Sequence, residues 1–189
     1  MRKFLFVALL VCACICANAQ KAKGDFSFLT GQKQLNVVFV YDGVTYDGDS
    51  EAEFFKDNSD RDDFEEWKTN WTSRFRNDMW ETIFLEKLNE ELSGKRLEGG
   101  DYPNAAYTAV VKFIDIDPGS FAGPFSVPCK ITADINFVAT GKTEPVATIT
   151  FTKLAANSFL MTPIIEHRVK FAFDDMGMNM GKILSKKIK

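Results

Sequence analysis

The chain has 189 residues, of which 46% are hydrophobic and 26% charged, with a formal net charge of -3 at pH 7. This length and apolar content are typical of one domain that buries an adequate core. The excess of acidic over basic residues argues against general nucleic-acid binding, so no nucleic-acid partner is expected.

The first nineteen residues have the pattern of a secretory signal peptide. Two basic residues precede an apolar run over 4–17, and the triplet Ala17-Asn18-Ala19 offers a small-residue cleavage site. We therefore predict a signal peptide over residues 1–19 and an exported protein, periplasmic or secreted. A lipoprotein is the weaker alternative, because the cysteines in this run only loosely match a lipobox.

Cleavage after Ala19 leaves 170 residues and a single cysteine, Cys129. One cysteine cannot form an intramolecular disulfide, so the fold must depend on its hydrophobic core. No later segment approaches the roughly 20 apolar residues of a membrane helix, so we predict no transmembrane segment.

Residues 20–34 are predicted to form an N-terminal tether that packs an extra strand or loop, ahead of a single domain over 35–189. Leu35 to Tyr41 is the first firm strand, and it is apolar on both faces, which is typical of a central strand. Asp42-Gly43 and Asp47-Gly48 then mark turns.

The stretch from Asp42 to Glu66 contains eleven acidic residues against two basic ones. We interpret it as a solvated acidic loop followed by a helix N-terminus, where acidic side chains are favourable. Calcium binding is a weak alternative, because Ala52 occupies the place of the glycine that an EF-hand requires. Such a site would use the alternating carboxylates Asp47, Asp49, Glu51 and Glu53.

The period changes to helical from Asp60 to about Leu92, and Gly94 ends that helix. A helix of this length is expected to kink or break. Thr162-Pro163 starts a second long helix that runs to the end of the chain, with lysines in its last turn.

Three alternating segments lie between the helices: Ala105 to Ile116, Lys130 to Thr140 and Ala147 to Leu154. The predicted order is βαβββα, with the first two strands parallel. We predict an α+β fold, a two-layer sandwich in which a mixed four-stranded sheet carries two long helices on one face.

The opposite face of that sheet is expected to expose an apolar patch. Water should not contact such a patch, so another part of the chain, a protein partner or a second copy is expected to cover it. Both kinds of cover stay open at this stage. The patch consists of Val38, Val40, Val110, Ile114 and Val138.

The long loop from Asp117 to Pro128 is a second candidate contact surface. Its candidate residues are Asp115, Asp117, Gly119, Phe121 and Phe125. Asp115 and Asp117 flank Ile116 at a strand end and could do acid-base work on a polymer, but aspartates are common at strand ends and in turns.

Other reactive or aromatic residues have simpler structural interpretations. His167, the only histidine, is predicted to be exposed, and Cys129 to be a buried structural thiol. Trp80 is the one tryptophan expected to be exposed and able to stack on a sugar. Gly177 and Gly181 are expected to let the last helix pack closely on the sheet. We predict no cofactor, no metal ion and no catalytic residue.

Three segments carry a resemblance to a group of small exported Bacteroidota proteins of unknown function: Ile114-Asp115-Ile116-Asp117-Pro118-Gly119, Cys129 to Val138, and Met176 to Ile188. More distantly, the element order is similar to envelope assembly lipoproteins of the curli-secretion type. The resemblance implies a fold rather than an activity. The favoured hypothesis is an exported, non-enzymatic binding or assembly module of the cell envelope. A hydrolase of envelope polymers and a calcium-dependent adhesion protein are the alternatives.

Overall fold

The computed structural model describes residues 20–123, 126–156 and 162–188. The predicted signal peptide and Phe125 lie outside the described residues. The strands are β1 Gln20–Gly24, β2 Gln34–Val40, β3 Thr45–Tyr46, β4 Asp49–Ser50, β5 Glu98–Gly100, β6 Tyr107–Asp117, β7 Lys130–Ala139 and β8 Pro145–Ala155. The helices are α1 Glu51–Asp57, α2 Phe64–Asn70, a π-helix Trp71–Glu81, α3 Thr82–Leu92 and α4 Ile165–Lys187.

The strands form one mixed sheet in the order β1-β8-β7-β6-β2-β5, with β3 beside β6 and β4 beside β3. β2 runs parallel to β6, as predicted, and β6, β7 and β8 form an antiparallel meander. The α+β class is therefore confirmed.

The predicted strand number and element order are wrong, because the described residues form a sheet of eight strands rather than four. The additional strands are only two to five residues long, too short for an alternating pattern to develop. One of them, β1, lies in the segment predicted as a tether and pairs with β8 at the edge of the sheet. Phe26 and Leu29, which follow it, are buried.

The helical crossover between β2 and β6 also differs from the prediction. It contains α1 within the acidic stretch, and the long helical segment begins at Phe64 rather than Asp60. Ser50 caps α1 by accepting from the Glu53 backbone N–H, while the Glu53 carboxylate accepts from the Ser50 backbone N–H. Eleven residues in the middle of the long segment are π-helical rather than α-helical.

Aromatic side chains join the sheet to the helices on one side, which we call the inner face. Phe39 meets Phe84 of α3 edge to face at 5.2 Å between ring centroids, and Phe113 lies 4.9 Å from Phe173 of α4. The opposite side is the outer face. The chain therefore places its core between one face of the sheet and a single layer of helices.

Two glycines of α4 let it approach α3 closely. A Cβ on Gly177 would lie 2.3 Å from the Phe84 carbonyl oxygen, and one on Gly181 would lie 2.6 Å from Glu91 Cβ. The glycines therefore serve helix-on-helix packing, and the expectation of helix-on-sheet packing is wrong. Trp80 is fully buried and donates from Nε1 to the Glu166 carbonyl oxygen at 3.0 Å, so its predicted exposure is also wrong.

Candidate functional site

The outer face carries the predicted apolar patch at the position that strand alternation assigns to it. Val38 pairs with Val110 across β2 and β6, and Val138 pairs with Thr108 across β7 and β6. Val38 and Ile114 are each 41% exposed. Val40, Val110 and Val138 are half-buried. No described segment shields the two most exposed side chains from water.

A bulge in β6 fixes which side chains reach the outer face at its end. The register with β7 shifts between Phe113 and Asp115, so that Ile114 has no direct partner. Both Phe113 and Ile116 are buried as a result, although the two lie three positions apart, an odd number, along the strand. Ile114 is left exposed at the bulge.

Polar residues lie beside the apolar patch on the outer face. Lys21 and Lys23 of β1 pair with Thr150 and Thr148 of β8, and Lys112 of β6 pairs with Asp134 of β7. Asp134 also accepts a hydrogen bond from the Thr150 hydroxyl at 2.7 Å. Three lysines against one aspartate make this polar part of the outer face basic.

Asp115 and Asp117 are both held by structural hydrogen bonds. Asp115 Oδ1 accepts from the Thr45 hydroxyl at 2.6 Å and from the Gly48 backbone N–H at 3.0 Å. Asp117 accepts from the Gly119 N–H at 2.8 Å and pairs with Lys130 at 2.9 Å. The first aspartate thus ties the β2–β4 turn to the sheet, and the second shapes the following loop.

The loop after β6 is anchored at its base by Arg168 of α4. The guanidinium donates to the carbonyl oxygens of Pro118 at 3.0 Å and Gly119 at 3.3 Å. Gly119 has φ +67°, and a Cβ there would lie 2.2 Å from the Val127 carbonyl oxygen, so this turn requires glycine. Phe121 is 44% exposed beyond the anchor.

The four carboxylates of the calcium hypothesis have different roles. Glu53 belongs to the cap of α1, and Glu51 forms an ion pair with Arg76. Asp49 and Asp47 lie in the exposed turn before α1. Within the described part of the chain, no three His, Cys, Asp or Glu side chains are grouped as a metal site.

The sequence analysis missed a polar network centred on Arg76, in the π-helix. Arg76 Nη2 donates to the Tyr46 hydroxyl oxygen at 2.8 Å and pairs with Glu51. Trp71 Nε1 donates to the same hydroxyl at 3.1 Å. The guanidinium carbon lies 4.4 Å from the centre of the Tyr41 ring. The Tyr41 ring also stacks on the Phe113 ring, with 4.7 Å between the ring centroids. Arg76 is thereby fixed on three sides.

The network shifts the pKa values of its members. Burial raises the pKa of Tyr41 well above its usual value, and the charge of Glu81 raises it further. Burial alone would lower the pKa of Arg76, but the charges and hydrogen bonds of Tyr46 and Glu51 outweigh it and raise that pKa. Burial likewise raises the pKa of Glu81. Arg76 therefore stays protonated.

Beside this network lies a hollow of about 490 Å³, which we call the Arg76 pocket. Its lining includes Tyr41, Asp42, Thr45, Ser50, Glu51 and Arg76. The sequence signal that could have indicated this pocket was Arg76 itself, one of few basic residues in this aromatic helical stretch. Only the fold brings Arg76 to the β2–β4 turn.

The described residues contain no helix with the length and apolar character needed to cross a membrane. The fold, the outer face of the sheet and the Arg76 pocket define the class of this protein only broadly. It is an α+β chain with one open sheet face. No family model and no curated protein matches it.

Among solved structures, the chain is similar to the PelC dodecamer from Paraburkholderia phytofirmans, with a TM-score of 0.45 and 9% identity over 85% of this chain and 97% of that chain. A point variant of that dodecamer gives a TM-score of 0.43 and 10% identity over 90% and 98% of the two chains. Similarity at this level carries no information about activity. The resemblance to exported Bacteroidota proteins stays a prediction.

Proposed function

We propose that this chain is an exported, non-enzymatic binding or assembly module of the bacterial cell envelope, which docks a protein on the outer face of its sheet. The observation that carries the proposal is the open apolar patch, in which Val38 and Ile114 are each 41% exposed. Burying such side chains in an interface is favourable, since apolar area contributes roughly 25 cal/mol per Å² removed from water. Export is supported by the charge, length and cleavage pattern of residues 1–19.

The partner that fits this face best is a second copy of the chain. The outer face is basic beside the patch, through Lys21, Lys23 and Lys112, whereas the stretch from Asp42 to Glu66 carries eleven acidic residues against two basic ones. Two unlike surfaces of one molecule that complement each other in charge favour a head-to-tail contact between copies.

Light scattering after size-exclusion chromatography of residues 20–189 tests the proposal. We expect a concentration-dependent oligomer that the double variant Val38→Glu/Ile114→Glu converts to a monomer, because both changes place a negative charge in the buried centre of the contact, opposite the acidic stretch. High salt should weaken the oligomer, since it screens the lysine–carboxylate attraction.

Ile164→Glu is the matched control, because Ile164 is 43% exposed but lies outside the sheet. It should leave the oligomer unchanged. A chain that stays monomeric at every concentration, or an equal response to the patch and control variants, would contradict docking of a second copy.

The two alternative functions have less support. A hydrolase would need Asp115 or Asp117 free to exchange protons with substrate, whereas both accept structural hydrogen bonds. A calcium-dependent adhesion protein would need carboxylates that converge, whereas Glu51 and Glu53 are engaged with Arg76 and with the cap of α1.

A further inference from the structure

We propose that the Arg76 pocket binds a neutral polyhydroxylated ligand, such as a segment of a saccharide chain. None of the patch residues lines this pocket, so the proposal goes beyond docking on the outer face. Its volume of about 490 Å³ falls within the roughly 300–1,000 Å³ of ordinary small-molecule sites.

The pocket lies where ligand sites occur in sheets with parallel strands. Tyr41 directly follows β2, and Thr45 pairs with Asp115 near the end of β6, which runs parallel to β2. Loops beyond the carboxyl ends of parallel strands form a crevice that the regular hydrogen-bonding ladder does not fill. The wall on the helical side is π-helical, a conformation that is rare and is often found at functional sites.

Arg76 provides fixed donors at this site. Nη2 is engaged with Tyr46 and Glu51, and Nε is buried without a hydrogen-bond partner. Nη1 makes no hydrogen bond to the described residues, so its N–H groups are the donors left for a ligand. The Tyr41 ring beneath the guanidinium and the Trp71–Tyr46 hydrogen bond hold the side chain in place. A ligand oxygen that accepts from this guanidinium would therefore cost little side-chain entropy.

The same pocket offers acceptors. Asp42 is exposed and makes no hydrogen bond or ion pair with the described residues, and Glu51 keeps one carboxylate oxygen beyond the one that binds Arg76. A hydroxyl group both donates and accepts, so adjacent hydroxyls of one ligand can satisfy carboxylates and guanidinium together.

Charge disfavours the other ligand classes. The lining contains two carboxylates and one guanidinium, and the surrounding stretch is strongly acidic, so an anion would be repelled. A small cation would meet the fixed charge of Arg76. A neutral ligand avoids both penalties.

NMR titration of ¹⁵N-labelled residues 20–189 tests the assignment. The probes are neutral tetrasaccharides of glucose, mannose, galactose and N-acetylglucosamine, with sodium acetate and methylammonium chloride as the anionic and cationic comparisons. We expect at least one tetrasaccharide to shift the amides of Gly43 and Thr45, with neither ion doing so.

Arg76→Ala and Asp42→Asn should each weaken that binding by about tenfold or more, because each removes a hydrogen bond to a charged group. Asp42 is exposed, so its variant keeps the test valid if Arg76→Ala fails to fold. Asp78→Asn, an exposed change in the same π-helix but outside the pocket lining, is the matched control and should bind normally.

Binding by acetate or methylammonium instead, no shift with any tetrasaccharide, or equal weakening by Asp78→Asn would overturn the proposal. The outcome is separate from self-association, because Val38→Glu/Ile114→Glu should still bind the saccharide. A chain that is monomeric but binds saccharide would contradict the docking proposal and leave the saccharide proposal supported.

Discussion

The two faces of the sheet use the same strands but differ in what the chain provides to cover them. On the inner face, Val111, Phe113 and Ile135 are fully buried under α3, α4 and the π-helix. On the outer face, Val38 and Ile114 keep 41% of their surface. Alternation along a strand thus separates two sets of side chains, but a second layer decides which set becomes core.

The outer face is also less uniform than the inner one. Its β2–β6 half carries most of the apolar side chains, together with Lys112, and its β1–β8 half presents threonines and lysines. A core needs uniform apolar packing, whereas a docking surface commonly combines an apolar centre with a charged rim. The difference between the faces therefore agrees with the proposed roles, and four predictions test it.

The largest effect should come from separating the helices that cover the inner face. Gly177→Ala places a Cβ 2.3 Å from the Phe84 carbonyl oxygen, so α4 must move away from α3. We expect the free energy of unfolding in urea to fall by about 3 kcal/mol, despite the higher helix propensity of alanine.

Gly94→Ala is the control for this helix contact. A Cβ on Gly94 would have no neighbour within 4 Å, so the free energy of unfolding should change by no more than about 0.5 kcal/mol. Equal losses for the two variants would show that the α3–α4 contact does not determine the stability of the inner layer.

Adjacent valines of β6 compare the two faces directly. Val111 is fully buried on the inner face, so Val111→Ala should lower the free energy of unfolding by about 2 kcal/mol. Val110 is half-buried on the outer face, and Val110→Ala should cost less than about 1 kcal/mol. Denaturation at low protein concentration keeps self-association out of the measurement, and a reversed order would refute the assignment of the faces.

Glu81 tests the polar end of the helical layer. Burial raises the pKa of Glu81 in the folded chain, so the unfolded chain releases this proton at a lower pH than the folded chain does. The free energy of unfolding therefore falls as the pH rises from the usual glutamate pKa through the raised pKa of Glu81. Relative to Glu81→Gln, the wild type should be less stable at pH 7 than at pH 4, by less than about 1 kcal/mol because solvent screens this partly exposed carboxylate.

Melting temperatures at the two pH values provide the measurement. A wild type that gains stability relative to Glu81→Gln between pH 4 and pH 7 would show that the Glu81 pKa is lowered instead.

The smallest effect belongs to the outer face itself. Val146 is 46% exposed, so Val146→Thr should change the free energy of unfolding by no more than about 0.5 kcal/mol. The same substitution at Val37, which is 7% exposed on the inner face, buries a hydroxyl and should cost about 1–3 kcal/mol. Similar urea midpoints for the two variants would contradict the assignment of Val146 to an exposed face and Val37 to a buried face.

The predictions from sequence were most accurate for long periodic segments. Strands β2, β6, β7 and β8, the parallel pairing of β2 with β6 and the final helix all follow from hydrophobic spacing over seven or more residues. The short strands were missed because two to five residues contain too few repeats to define a period. The outward direction of Val38 and Ile114 followed from the same alternation.

The sequence by itself determined which side chains of the long strands share a face, because the period of two is a property of the backbone. Only the tertiary structure decided that α4 packs on α3 through Gly177, that the bulge returns Ile116 to the core, and that Arg76 meets Tyr41 and Glu51. Each of these contacts joins residues more than ten positions apart or depends on a local change of register. Spacing along a single element carries no information about them.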